Sequence, residues 1–102
     1  MSQAAIVEQA PGVLALSGVL DYRSGPALRE QGARLIKAGS TSAWVLDCAG
    51  VEKSSSVGLS LLLAFTRDAR AAGKALEIRA LPRDMLEIAK VSELDDVLPL
   101  QP

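Results

Sequence analysis

The apolar positions of this chain change period several times, and each period predicts a different element. Residues 13–20 are rich in apolar and β-branched side chains and follow the turn signal Pro11-Gly12. They predict a strand that pairs with residues 4–9 as a hairpin. Helical spacing of apolar residues begins after Pro26 and ends at Gly39, which predicts the first helix.

The second half of the chain continues with alternating strand and helix signals. Residues 43–48 form a short apolar run that predicts a buried central strand, and a polar loop through residues 50–56 is expected to follow it. Residues 57–72, the most apolar segment, predict the second helix. Residues 75–79 alternate with period two, as a half-exposed strand does.

Two segments complete the pattern. Residues 82–90 predict a third helix, and residues 94–99 predict a helical turn that packs back on the domain. The resulting order is typical of an α/β fold with right-handed crossovers between parallel strands. We therefore expect residues 1–102 to form a single domain, with a mixed sheet of four to five strands and three to four helices.

The amino-acid composition limits the functions that are expected of this chain. The 102 residues are 49% apolar and 23% charged, which is typical of a folded globular domain. Eleven basic against twelve acidic residues give a net charge of −1, so there is no basic excess for nucleic-acid binding. The absence of histidine removes the commonest general base and transition-metal ligand, so we expect neither an enzyme nor a metal site. The single cysteine, Cys48, closes an apolar run and is expected to be a buried, inert thiol.

The sequence also bears on location. The first twenty residues lack the basic start of a signal peptide, and the longest strictly apolar run covers only residues 61–65. A membrane-spanning helix needs about 20 such residues. We therefore expect a cytoplasmic protein without direct membrane insertion, although it could associate with a membrane through a partner.

Three consecutive serines, Ser54, Ser55 and Ser56, precede the apolar helix. One serine at a helix start can accept a hydrogen bond from the first turn, which contributes about 1 kcal/mol. Such a cap accounts for one serine and not for three. The other interpretation is a switch, because a phosphate here would face the positive end of the helix dipole. Both interpretations remain open from the residues alone.

The apolar sector of the second helix is wider than packing on one sheet face requires. It spans about 200° of the helix, whereas a little over 100° suffices for such packing. Either neighbouring helices cover the excess, or the edge formed by Leu61 and Phe65 and the face around Ala64 meet another protein.

Taken in order, these motifs resemble the STAS domain, the fold of bacterial anti-anti-sigma factors and of the cytoplasmic tails of sulfate transporters. The matching features are a strand ending at residues 16–21, a central strand ending at Asp47, the serine loop, and Gly58-Leu59 at the start of an apolar helix. Within the family, the chain is most similar to the STAS subunit of the Mla phospholipid-transport ABC complex. The segments that favour this subgroup are residues 14–18, 58–63 and 96–99.

The resemblance implies a non-catalytic subunit that binds the ATPase of such a transporter and, through it, a permease. It would lie at the cytosolic face of the inner membrane and carry no cofactor of its own, since ATP and magnesium would belong to the ATPase. The residues carried over as partner-binding are Arg29, Ser54, Ser55, Ser56, Val57, Ser60, Leu61, Ala64, Phe65 and Asp68.

Two other functions are considered. In anti-anti-sigma factors the phosphorylated serine usually follows an aspartate; here the matching position is Ser56, and Ser55 stands where the aspartate would be. The alternative function is such a factor, released from a serine kinase when Ser56 is phosphorylated. A small hydrolase using Ser56 with Lys53 as base is a third class, but no other residues supply an oxyanion site.

Overall fold

A computed structural model describes residues 3–101. The chain alternates between strands and helices in the predicted order. Its elements are β1 (Ala5–Ala10), β2 (Val13–Leu20), α1 (Gly25–Ala38), β3 (Ala43–Ser54), α2 (Ser56–Ala71), β4 (Ala75–Arg79) and α3 (Arg83–Val91). Within residues 3–101, no helix combines the length and apolarity needed to cross a lipid bilayer.

The four strands form one mixed sheet in the order β1-β2-β3-β4. The β1–β2 hairpin is antiparallel, whereas β2 pairs with β3, and β3 with β4, in parallel. Helices α1 and α2 connect the parallel strands, so the predicted α/β fold is confirmed. The predicted return of the tail is confirmed as well: Leu98 is buried, and Leu100 forms a parallel bridge with Ile78 beside β4.

Strand β3 is twice as long as predicted. The expectation of a polar loop from Gly50 onward is wrong, because residues 50–54 remain extended. They pair with the second half of β2, from Ser17↔Gly50 to Leu20↔Ser54, with one register shift between Gly18 and Val19. Backbone pairing with a neighbouring strand thus outweighs the polar character of Glu52 and Lys53. The strand carries the chain to the very start of α2.

The core lies between one face of the sheet and the helices. Alternate residues of β2 and β3 are buried, among them Leu14, Leu16, Trp44 and Leu46, because successive strand side chains point to opposite faces. They join one cluster with the buried side chains of the helices. Cys48 belongs to this cluster, and its burial raises the pKa of the thiol to about 12. It is therefore the buried, inert thiol that the sequence predicts.

Helices α1 and α2 touch closely because α1 has a glycine at the contact. Gly32 is buried in the middle of α1. A β-carbon placed there would lie 2.2 Å from Cε1 of Phe65 on α2, well inside van der Waals contact. The phenyl ring therefore occupies space that any other residue at position 32 would fill. This contact explains a glycine whose helix propensity is about 1 kcal/mol worse than that of alanine.

We predict that Gly32→Ala destabilises the protein despite its better helix propensity. The added methyl group collides with Phe65, and overpacking of this kind costs about 1–3 kcal/mol. Thermal or urea unfolding of the two proteins measures the difference. The cost should fall when Gly32→Ala is combined with Phe65→Leu, since the double-mutant cycle isolates the contact. Stabilisation by Gly32→Ala alone would contradict the close approach.

Candidate partner-binding site

The starts of α1 and α2 lie side by side where β2 and β3 end. Leu20, the last residue of β2, pairs with Ser54, the last residue of β3, and the Ser55 N–H donates to the Leu20 carbonyl at 2.9 Å. A β-carbon on Gly25 would lie 2.9 Å from Cγ1 of Val57, so the first turns are in contact. In open α/β sheets, the carboxyl ends of the strands are the usual place for a binding site.

Each of the three serines has a different role. Ser55 is the N-cap of α2, and its Oγ accepts a hydrogen bond from the Val57 N–H at 3.2 Å. The Ser54 hydroxyl donates to the Ser55 carbonyl at 2.7 Å. It packs against Gly58, where a β-carbon would lie only 2.0 Å from the Ser54 Oγ. Both residues therefore shape the start of the helix.

Ser56 differs from the other two serines. It is the first residue of α2, so the helix begins one residue earlier than predicted. Its side chain is exposed, and no hydrogen bond joins its hydroxyl to another group within residues 3–101. The cap and the accessible hydroxyl are thus two different residues, Ser55 and Ser56.

A shallow groove of about 420 Å³ runs between the first halves of α1 and α2. We call it the α1–α2 groove. Its lining residues are Tyr22, Gly25, Pro26, Arg29, Val57, Ser60, Leu61 and Ala64. Apart from Arg29, Tyr22 and the Ser60 hydroxyl, the lining is apolar, and Tyr22 is 71% exposed at its rim. An apolar recess with an accessible serine beside it can accept side chains of another protein.

One wall of the groove is fixed by an ion pair between the helices. The Arg29 guanidinium donates hydrogen bonds to both carboxylate oxygens of Asp68. Nη1 donates to Oδ2, and Nη2 donates to Oδ1 at 3.2 Å. The Asp68 side chain is only 12% exposed and that of Arg29 43%. A paired geometry of this kind stabilises a carboxylate that burial would otherwise penalise. The pair bridges α1 and α2 beside the groove.

Some of the residues that the sequence predicts for partner binding line the groove. Arg29, Val57, Ser60 and Ala64 line it, and Leu61 forms its floor with only 4% exposure. The expectation that Leu61 and Phe65 form an outer edge is wrong: both side chains are buried, and the Phe65 ring lies against Gly32 of α1. Asp68 is likewise turned inward by its ion pair. Of the two alternatives for the wide apolar sector, coverage by a neighbouring helix therefore applies to Phe65.

Three groove residues, Tyr22, Gly25 and Pro26, were missed by sequence reasoning. They belong to the β2–α1 connection, whereas the serine pattern drew attention to the β3–α2 connection alone. The available signal was topological, since adjacent parallel strands bring the connections that follow them to the same edge. In the sequence the two connections are separated by the whole of α1 and β3.

The family motif predicts Asp47 at the end of the central strand, but it lies in the middle of β3 and away from the groove. Its carboxylate accepts a hydrogen bond from the Ala49 N–H at 2.9 Å and pairs with Arg79 at 3.1 Å. The Ala49 hydrogen bond, together with the Arg79 guanidinium, lowers the pKa of Asp47 against the opposing effect of burial. The aspartate therefore supports the β3–β4 pair.

This arrangement defines a class of protein: a small mixed sheet whose second crossover helix begins at a serine. The anti-sigma factor antagonist from Mycobacterium paratuberculosis is similar at 28% identity, with a TM-score of 0.76 over 98% of this chain and 85% of that chain. SpoIIAA in its unphosphorylated form is similar in fold, with a TM-score of 0.74 at 14% identity, over 97% and 86%. An anti-sigma-factor antagonist (STAS) domain protein from Planctomyces limnophilus reaches a TM-score of 0.72 at 15% identity, over 99% and 90%.

The family model described as "Mlab, STAS domain" matches residues 6–101. The chain therefore belongs to the STAS family, and the fold predicted from its motifs is confirmed.

We predict that the serines differ in their effect on stability. Ser55→Ala removes the N-cap hydrogen bond and should lower the free energy of unfolding by about 1 kcal/mol. Ser56→Ala removes only an exposed hydroxyl and should change it by less than about 0.5 kcal/mol. Urea unfolding of the two variants gives the comparison. A larger loss for Ser56→Ala would show that Ser56, and not Ser55, caps α2.

Proposed function

We propose that this chain is a non-catalytic STAS subunit that binds and stabilises the ATPase of a phospholipid-transport ABC complex. Through that ATPase it would contact a permease and lie at the cytosolic face of the inner membrane. The family model, described by the name Mlab, supports this choice within the STAS family. The α1–α2 groove and the exposed Ser56 beside it form the docking surface in this proposal.

The proposal depends on the identity of the residue before Ser56. Anti-anti-sigma factors usually have an aspartate before the phosphorylated serine, whereas this chain has Ser55. The Ser55 side chain is already bound to the first turn of α2. A phosphorylation site of the usual kind is thus incomplete, while the exposed hydroxyl and the groove remain suited to permanent contact with a partner.

The proposed mechanism is linkage between docking and the conformation of the ATPase. A subunit that binds the assembled, competent ATPase more tightly than other states shifts the population toward it. The domain itself needs no contact with ATP or magnesium, which would be held by the partner. The close contact and the ion pair between α1 and α2 suit this role, because a preorganised surface loses little freedom on binding.

One observation favours a second candidate, an anti-anti-sigma factor controlled by a serine kinase. Ser56 is exposed at the start of α2, and the similar protein from Mycobacterium paratuberculosis is an anti-sigma factor antagonist. A phosphate on Ser56 would be stabilised by the helix dipole and would add nearly two negative charges to the docking surface. Such a change would release a partner bound there.

We predict that a large charged residue at position 64 prevents binding of the ATPase. Ala64 is half-buried in the groove, so Ala64→Arg should fill the recess and lower the affinity at least about tenfold. Ala49→Arg, at an exposed alanine of β3 outside the groove, is the matched control and should bind normally. A charge at Leu61 is unsuitable, because that side chain is buried and the substitution would test folding instead.

The measurement is purification of the tagged full chain from its native cells, followed by titration of the purified partner. Recovery of an ABC ATPase with its permease, bound by wild type and Ala49→Arg but not by Ala64→Arg, supports the proposal. Recovery of a serine kinase with phosphate on Ser56 would favour the second candidate. Unchanged ATPase binding by Ala64→Arg, with unchanged thermal stability, would contradict the assignment of the groove.

A further inference from the structure

The two helices that form the groove carry a net positive charge, although the whole chain is slightly acidic. The basic residues of α1 and α2 are Arg29, Arg34, Lys37, Arg67 and Arg70, and the acidic residues are Glu30 and Asp68. Both carboxylates are already paired: Asp68 with Arg29, and Glu30 with Arg34 at 2.9 Å. The net charge of these helices is therefore +3.

Three exposed cations on these helices make no ion pair within residues 3–101: Lys37, Arg67 and Arg70. On α2, Arg67 lies on the same outward face as Ser60 and Ala64, because these residues follow one another at steps of three and four. Neither helix has an acidic residue in its first turn. Positive charge thus extends from the groove along the exposed side of both helices.

The opposite charge is concentrated elsewhere. Residues 83–101 contain two basic and five acidic residues, a net charge of −3. We call the surface that carries Lys37, Arg67 and Arg70 the basic face. It is a local property that the overall charge of −1 conceals. A segregated charge of this kind orients a protein toward a partner of the opposite sign before contact.

We propose that the ATPase surface that covers α1 and α2 is acidic, with carboxylates opposite Lys37 and Arg67, and that charge attraction speeds docking. This inference rests on the proposed function and adds the chemistry of the partner surface. A protein surface fits better than anionic lipid, because each basic residue near a charged bilayer contributes only about 1 kcal/mol. Three free cations would hold the domain weakly, whereas the apolar groove beside them can receive side chains.

Charge reversal tests the proposal. Arg67→Glu and Lys37→Glu each place a negative charge on the basic face. Arg83→Glu is the matched control: Arg83 lies on α3, its side chain is 90% exposed, and its ion pair with Glu87 is long at 3.7 Å. The three substitutions change the total charge equally, so any difference between them reflects position. All three sites are on the surface, and thermal unfolding confirms that each variant is folded.

The readout is the association rate of the full chain with the purified ATPase in about 0.05 M and about 0.5 M salt. At low salt, Arg67→Glu and Lys37→Glu should each slow association about threefold to tenfold, with a smaller effect on dissociation. High salt should remove most of the difference. The Arg83→Glu variant should associate at close to the wild-type rate.

Other outcomes overturn the proposal in distinguishable ways. Wild-type binding that is indifferent to salt and to both reversals would overturn the acidic surface and leave the proposed function intact. Normal ATPase binding by Arg67→Glu, together with lost binding to vesicles of phosphatidylcholine and phosphatidylglycerol, would assign the basic face to the membrane. No ATPase binding by wild type at either salt concentration would overturn the proposed function, and this inference with it.

Discussion

The parallel pairing of the whole of β2 with residues 45–54 of β3 is the constraint on which the rest of the molecule depends. It keeps residues 50–54 extended, and it ends with Leu20 beside Ser54. Because both strands finish at the same edge, the helices that follow them must start as neighbours. The contact between Gly25 and Val57 and the α1–α2 groove follow from this single pairing. Had β3 stopped at Cys48, the serines and the β2–α1 connection would have been free to separate.

The contact between α1 and α2 decides how much of the apolar surface of α2 remains available. Gly32 lets α1 approach until Phe65 is fully covered, and Arg29 with Asp68 bridges the two helices beside the groove. The recess between the first halves of the two helices stays open, and Ser60 and Ala64 line it. Packing thus converts a wide apolar helix face into a small, defined site. Burial of Phe65 also supplies stabilisation of the kind that a domain of this size needs.

The choice between the two STAS functions depends on two adjacent hydroxyls with different surroundings. Ser55 is committed to the helix start by its bond to the Val57 N–H. Ser56 is exposed, and its hydroxyl would be accessible to a partner or a kinase. The same position can therefore serve a permanent interface or a reversible one. Two features distinguish a permanent interface from a reversible one: the residue before Ser56, and the charge of the partner surface that would match the basic residues of α1 and α2.

The sequence by itself determined the order of elements, the mixed α/β class, the buried Cys48 and the returning tail, because these depend on local periodicity and turn residues. It also singled out the serines, since a helix start has a local signature. Only the tertiary structure decided that β3 runs to Ser54, that Phe65 and Asp68 face inward, and that Tyr22 and Pro26 join the site. Each of these depends on groups far apart in the chain: the backbone of β2, the missing side chain of Gly32, and the guanidinium of Arg29. Periodicity reports which residues share a face, but a neighbour's shape and charge decide which part of that face stays open.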